Sequence, residues 1–379
     1  MNFLEHVAKS QVLAPAGIAV PLARLCRTPD EARALFPEVG PCVVKAQVPA
    51  GKRGKAGGIK PADTPQDAAA RAHDILALEI DGYPVEELLL EQRANIVHEY
   101  YAAVMIDFDA RMPLVLFSTQ GGMDIEEVAA SNPSSIVKHH VPLDETFDEG
   151  IARGMIANLK LGSAQEEVAS VLAKMYAAFV AKDAELIEIN PLAVLDDGRV
   201  VALDCKLTID DSSLYRQTGL AARGATEKMT PLEKRGAAAG LKFIQLDGNI
   251  GVLANGAGLT MTTMDVISHQ GGRPANFLEI GGEAYTKAEI ALDLVLSNPG
   301  VKSLVINFCG AFARTDVMAD GVVKAWKNLK PGIPVFFSIH GTGEVEARAI
   351  VRRELGLEPL DFMEDAVAAA IAAAAGVSA

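Results

Sequence analysis

The sequence predicts an α/β protein with more than one domain, and three observations support this. Ala, Val, Gly, Ile and Leu dominate while aromatic residues make up 5%, as expected of chains whose parallel strands are buried between helices. From about residue 245 onward, short apolar runs alternate with helix-length segments and Gly-rich loops, the pattern of βαβ crossovers. The length of 379 residues corresponds to two to three domains at roughly 150 residues each.

Composition narrows the function classes. Half the residues are hydrophobic and 22% are charged, which excludes a disordered chain. With 35 Lys and Arg against 49 Asp and Glu, the net charge is −14, so a general binder of nucleic acid or anionic membrane is excluded, although a local basic site is not. Cys26, Cys42, Cys205 and Cys309 lack CxxC spacing, which argues against a zinc knuckle or a disulfide framework and for a reducing compartment. The start, MNFLEHVAKSQVLAPAG, reads as an amphipathic helix containing charges and not as a signal peptide. With no targeting segment seen, a bacterial-type cytoplasmic protein is expected. The Ala-rich run after Glu364 and Asp365 reads as a packed terminal helix, too short for a membrane span.

Along the chain, the first chemically informative segment is VVKAQVPAGKRGKAGGIK, residues 43–60. Lys45, Lys52, Arg53, Lys55 and Lys60 stand among glycines there, so backbone N–H groups and cationic side chains could be laid over a polyphosphate. It is neither a Walker A sequence nor a GxGxxG fingerprint, and an exposed loop would read the same way. Residues 88–107, LLLEQRANIVHEYYAAVMID, read as two strands around a short turn, with Glu91 and Glu99 as polar exceptions that could contact a nucleotide or face water. In ELIEINPLAVLDDGRVVALDCKL, residues 185–207, a DDG turn between two apolar-alternating runs signals a β-hairpin. Centred on Asp197, it sets Asn190 opposite Asp204 and Glu188 opposite Lys206. Period two then places those four on one face and Ile187, Ile189, Leu203 and Cys205 on the other. Paired hard-oxygen donors on such a face suit Mg²⁺; a solvated face is the alternative.

A domain boundary is expected near 236–245, dividing the chain into 1–235 and 236–379. Beyond it, strands are expected at 250–254, 275–280, 303–308 and 333–339, with a weaker one at 358–362. Helices are expected at about 258–269, 286–297, 317–329, 343–355 and 363–375, which together make a doubly wound parallel sheet of flavodoxin-like size. The strand ends NGAG at 255–258, EIGG at 279–282, CGAFAR at 309–314 and SIHGTG at 338–343 all fall on one edge of that sheet. Glycines followed by helix starts there could admit an anion.

Taken together, these motifs resemble the β subunits of succinyl-CoA synthetase, an ADP-forming succinate–CoA ligase family that includes malate–CoA ligase β subunits. Beyond the segments already quoted, STQGGMDIEEVA, LDGNIGVLANGAGLTMTTMDVI, GGRPANFLEIGG and an EH-x-AK-like start extend the likeness over nearly the whole chain. The resemblance implies an N-terminal ATP-grasp domain of two subdomains (1–235) followed by a flavodoxin-like CoA-ligase domain (236–379). It assigns Lys45, Lys52, Arg53, Gly54, Glu91 and Glu99 to ATP, and Asn190 and Asp204 to Mg²⁺. Glu188 is assigned to an active-site histidine. Asn255 is given to the phosphoryl group, and Ala311, Phe312 and Ala313 to the acid substrate. The implied reaction runs through a phosphohistidine on a separate α subunit that also holds most of the CoA site. None of the seven histidines here matches that motif, so the chain is expected to be active only with the α subunit.

Departures from the family pattern cluster at the acid end. GAFARTD stands at 310–316 where GGIVRCD is usual, and SIHGTG where RLEGNN is usual. Elsewhere GKRGKAGG replaces GGRGKAGG, and Gln120-Gly121-Gly122 replaces EGG. Succinate is the acid the resemblance implies. The departures leave malate or another dicarboxylate as an alternative, and a non-catalytic nucleotide-binding regulatory subunit as a further one. The surroundings of Pro21 lack the polar substitution of guanine-using forms, which favours ATP.

Overall fold

The computed structural model describes residues 1–225, 228–281 and 286–376. They form two compact units, Met1–Glu227 and Lys228–Ala379. Helix Pro231–Ala238, which straddles the expected boundary between 235 and 236, lies in the second unit.

The first unit contains two larger antiparallel sheets and a two-stranded ribbon of Glu79–Ile80 with Tyr83–Pro84. One has the strand order Ala23–Cys26, Leu88–Gln92, Cys42–Ala46, Ile59–Ala62, and its buried side chains share a core with helices Pro29–Val39 and Pro65–Leu76. Both helices begin Thr-Pro, with the Thr28 and Thr64 hydroxyls accepting from the backbone N–H of Glu31 and Asp67 at 3.1 and 3.0 Å; proline presets the first turn where no N–H is needed. The larger sheet runs Asn2–Phe3, Lys206–Ile209, Ala184–Leu195, Ile96–Asp107, Met112–Ser118, Ile136–His140, with Val200–Ala202 also paired to Ala184–Leu195. Helices Glu149–Ile156 and Gln165–Ala181 bury their apolar stripes in its core, where each large aliphatic side chain contributes roughly 1.5–3 kcal/mol.

Three readings of this half change. The two strands expected in 88–107 form, but Leu88–Gln92 belongs to the smaller sheet and Ile96–Asp107 to the larger. Leu88–Gln92 is already flanked by Ala23–Cys26 and Cys42–Ala46, leaving no free edge for a hairpin partner, so residues 93–95 carry the chain between sheets. The hairpin register is as expected, with Glu188 opposite Lys206 and Leu192 opposite Ala202. Leu203 departs, however: it joins a small cluster with Ala193, Leu195 and Val201, apart from Ile187, Ile189 and Cys205, because regular pairing lapses between Ala202 and Lys206. The N-terminal helix is α-helical over Glu5–Ala8 and widens to a π-turn over Lys9–Leu13, and Glu5 and Lys9 face inward.

The second unit is a parallel sheet. Strands Ile250–Ala254, Ser303–Gly310 and Val335–Gly341 lie side by side. Asn276–Leu278 is flanked by parallel bridges at Ile250–Pro274 and Ala254–Glu279, and also pairs antiparallel with Phe243–Gln245, a strand the sequence pattern did not reveal. Successive residues point to opposite faces. Leu304, Ile306 and Phe308 pack with helices Ala288–Leu296, Thr315–Leu329 and Glu344–Leu355. Val305 packs with helices Ala257–His269 and Met363–Ala374. The weak strand at 358–362 reduces to one bridge, Ser338–Leu360, since Pro359 has no N–H for a ladder. No described helix is long and apolar enough to cross a membrane.

Candidate functional site

The basic loop lies between the paired strands Cys42–Ala46 and Ile59–Ala62. Lys52 takes a left-handed conformation, φ 57°, and the turn closes with Gly58 N–H donating to the Arg53 carbonyl at 2.9 Å. A side chain at Gly58 would come within 2.6 Å of Ile80 Cδ1 and 3.2 Å of the Ala46 Cβ and the Arg53 carbonyl oxygen, so glycine gives the loop room to rejoin the sheet without displacing Ile80. This turn sends Arg53 inward, its Nη1 donating to the Ala46 carbonyl at 2.8 Å, and leaves Lys52 and Lys55 outside. Lys52 pairs with Asp124 at 2.8 Å, and Lys55 with Glu127 at 3.4 Å.

Behind the loop is a buried ionic network. Lys9, Lys45 and Arg53 meet Glu5, Glu91 and Asp204, and all but Asp204 are buried. Lys45 Nζ lies 2.7 Å from Glu91, 3.1 Å from Glu5 and 2.5 Å from the Leu203 carbonyl. Lys9 Nζ lies 2.6 Å from Glu5, 2.5 Å from Glu91 and 2.6 Å from the same carbonyl. Arg53 Nη2 sits 2.7 Å from both Glu5 and Asp204. For Glu5, Lys45 and Arg53, burial disfavours the charged form, but the opposite charges outweigh it. Despite burial, Lys45, Lys9 and Arg53 hold the Glu5 carboxyl well below the usual range. Likewise Glu5, Glu91 and Asp204 hold the Lys45 ammonium above its usual value, and Asp204 and Glu5 do the same for Arg53. A buried set of this kind is tolerated only when each charge is matched and hydrogen-bonded.

Lys45, Lys52, Arg53, Gly54, Glu91, Glu188, Asn190 and Asp204 line one cleft of about 480 Å³. Glu99 does not line it, and its carboxylate lies against Gly122, which does. Gly121 presses so closely on the Tyr100 backbone that no side chain would fit there, and Gly122, φ 71°, lies against the Glu99 carboxylate in a conformation that favours glycine. Asn190 ties the segment at Gly122 and Met123 down, its Oδ1 accepting from Gly122 N–H at 2.8 Å and its Nδ2 donating to the Met123 carbonyl at 2.9 Å. Burial, reinforced by Asp204, Glu126 and Asp124 and opposed only by Lys206, pushes the Glu188 carboxyl above its ordinary value.

The donor set fits a magnesium ion. Asn190 and Asp204 bring an amide oxygen and a carboxylate to the same cleft, and Asp204 Oδ1 already accepts from Arg53 and from Cys205 N–H. Among the described residues no three His, Cys, Asp or Glu side chains form a self-sufficient metal cage. A hard cation held by these two groups would take its remaining ligands from phosphate oxygens and water.

The acidic and basic residues that sequence reasoning missed are Glu5 and Lys9. The signal was present: positions 5, 8, 9 and 12 share one helix face, so charges at 5 and 9 fall on the stripe that carries Ala8 and Val12.

In the second unit, Asn255 follows strand Ile250–Ala254, and Gly256, φ 86°, caps helix Ala257–His269. Both halves of the Asn255 amide are committed to Cys309: Oδ1 accepts from its N–H and Nδ2 donates to its carbonyl, each at 2.8 Å. The next loop is pinned by Thr342 Oγ1 donating to the Ala311 carbonyl at 2.8 Å. Phe312 is fully solvent-exposed at 103%, and Ala313 is partly buried against the core. Strand register sets Cys309 beside His340. Of EIGG, Gly282 lies outside the described residues.

A charged nucleotide-sized cleft in one unit and a glycine-edged parallel sheet in the other define an ATP-grasp acid–thiol ligase chain. The family model described as an ATP-grasp domain matches residues 2–194, and the one described as a CoA-ligase matches residues 253–373. The chain belongs to the succinate–CoA ligase β-subunit family. It is 41% identical over 355 residues to the GDP-forming succinate–CoA ligase subunit beta of Thermus thermophilus, covering 93% of each chain. It is 42% identical over 349 residues to the ADP-forming subunit beta of Rubrobacter xylanophilus, covering 91% of each, and 40% identical to that of Chloroflexus aurantiacus, covering 99% of this chain and 100% of that one. A solved ATP citrate lyase from Methanothrix soehngenii, in complex with citrate and coenzyme A, shares the fold with a TM-score of 0.71 at 20% identity, over 94% of this chain and 95% of that one.

Proposed function

We propose that this chain is the nucleotide-binding subunit of an ADP-forming acid–CoA ligase that, with an α subunit, catalyses acid + CoA + ATP ⇌ acyl-CoA + ADP + phosphate. The observation that carries the proposal is the convergence of Lys45, Lys52, Arg53, Glu188, Asn190 and Asp204 on one cleft. Lys45 and Arg53 hold phosphate oxygens from buried positions, while Lys52 and Gly54 close the loop over them. Glu91 sets the place of Lys45, and Glu99 supports the glycine pair at the cleft edge. Asn190 and Asp204 hold Mg²⁺, which when bound offsets the charge of the transferring phosphoryl group. Glu188 faces the α-subunit histidine that receives the γ-phosphoryl group, where a carboxylate stabilises the imidazolium. In the second unit, Asn255 holds two strand ends in register so that N–H groups of the helix after Gly256 meet the phosphoryl group. Residues 311–313 meet the acid, which then takes up the phosphoryl group before CoA cleaves the acyl phosphate.

The test is ADP release by the chain with its α subunit, acid, CoA and Mg·ATP. The reading predicts that release requires all components and falls by about 10³-fold in Asn190→Ala with Asp204→Ala; release unaffected by the double substitution would refute the metal assignment. Succinate is the acid expected from the family. The exposed Phe312 and the half-exposed His340 at the strand ends support a second reading, a substituted dicarboxylate such as malate. A panel of dicarboxylates scored for thioester formation decides between them, and no thioester from any acid would indicate a regulatory subunit.

A further inference from the structure

We infer that Glu5 is a positioning residue for polyphosphate, the fixed counter-ion that keeps Arg53 and Lys45 in place when the ligand-facing carboxylate turns away. The inference rests on the nucleotide reading of the cleft. Three cations converge on this one carboxylate, one from the next turn of its own segment and two from the stretch 45–53: Lys9 and Lys45 on Oε1 at 2.6 and 3.1 Å, and Arg53 on Oε2 at 2.7 Å. Glu5 is 3% exposed and borders only a smaller recess of about 150 Å³, shared with Arg53, Asn190 and Asp204, whereas Asp204 and Glu91 line the large cleft. Arg53 thus has two acidic partners of different kinds: Asp204, one-third exposed and facing the ligand, and Glu5, which is buried.

The details of Arg53's bonding suggest how these partners share the load. The aligned Nη2 hydrogen bond goes to Asp204 at 2.7 Å. Glu5 Oε2 is equally near, but no donor is aligned with it, so it is an acceptor with unused capacity. When Asp204 is drawn to a cation, Arg53 loses that bond but keeps a buried carboxylate beside it, and a small rotation gives Oε2 its hydrogen. Lys45 is held in the same way, by Glu5 as well as by the cleft-lining Glu91. Without the Glu5 charge, Arg53 would be a buried cation dependent on the partner that ligand binding removes, and it would leave its position.

The experiment measures Mg·ATP binding to the full chain by titration calorimetry, with thermal melting alongside, for Glu5→Gln, for Glu5→Gln combined with Lys9→Met, and for Arg53→Ala as reference. Glu5→Gln is expected to weaken Mg·ATP binding about tenfold or more, the scale on which losing a charged partner from a buried pair is felt. The double variant restores the balance of buried charge, so it is expected to regain the melting temperature but not the affinity. Unchanged affinity in Glu5→Gln, or affinity that returns with the melting temperature in the double variant, would overturn the inference and leave Glu5 a structural residue. If Arg53→Ala also binds Mg·ATP normally, the nucleotide reading fails; if Arg53→Ala loses binding while Glu5→Gln does not, only the role of Glu5 fails.

Discussion

The two units present their candidate chemistry by different means. In the first, charged side chains from the N-terminal helix, the basic loop, strand Leu88–Gln92 and the 185–207 hairpin meet in a buried network beside a cleft. In the second, the strand ends offer glycines, helix starts and one asparagine whose amide is used up on backbone, with Phe312 left fully in solvent. The first relies on side chains held in place by matched buried charge. The second relies on backbone groups at the ends of parallel strands.

This contrast can be tested from its strongest consequence to its weakest. Asp204→Ala with Asn190→Ala is expected to lower acid-dependent ADP formation by about 10³-fold, the cost of removing preorganised electrostatic groups, as measured with the α subunit present. Gly341→Ala tests the backbone-built unit. Gly341 has φ 94° and lies directly against Gly310, so a methyl group there should destabilise the second unit by about 3 kcal/mol, seen as an early melting transition while Mg·ATP affinity is unchanged. Coupled loss of that affinity would break the comparison. Asn255→Ala removes the paired hydrogen bonds to Cys309 and should cost about 1–3 kcal/mol, read from the same transition.

Exposed charges should matter least. Lys52→Ala removes an exposed cation, 65% accessible, from its pair with Asp124 and should weaken Mg·ATP binding only about threefold, increasingly less as salt is raised. Asp183 sharpens the contrast through pH. Hydrogen bonds from Arg216 and Gln217 hold its carboxyl down to about 2. Because the folded value is depressed, its stabilising contribution is present above the ordinary Asp value, about 3.9, and is lost as pH falls through about 2. Asp183→Asn should therefore lower stability slightly at neutral pH and match the parent at the acid end, as followed by denaturant midpoints across that window.

How much of this was legible depends on range. The 185–207 hairpin could be placed because its register follows from one turn and a strict period of two; Glu188 does face Lys206. The parallel sheet could be placed because each strand and helix has its own apolar period. Leu203 was misplaced because the period holds only while the ladder does, and pairing lapses between Ala202 and Lys206. The passage of residues 93–95 from one sheet to the other was hidden because two adjacent strands look the same whether they pair with each other or with distant partners.

The sequence by itself determined which local elements form and where the cationic loop, the oxygen-bearing hairpin and the glycine-edged strand ends lie, because turn chemistry and hydrophobic period act over a few residues. Tertiary structure decided that the inward-facing Glu5 and Lys9 meet Lys45, Arg53 and Glu91, that Glu99 sits behind Gly122, and that Asn190 holds the segment over the cleft. Buried charges and amides must be satisfied by whichever groups the packed chain brings near. Here those groups come from positions 5, 9, 45, 53, 91 and 204, whose meeting no local period records.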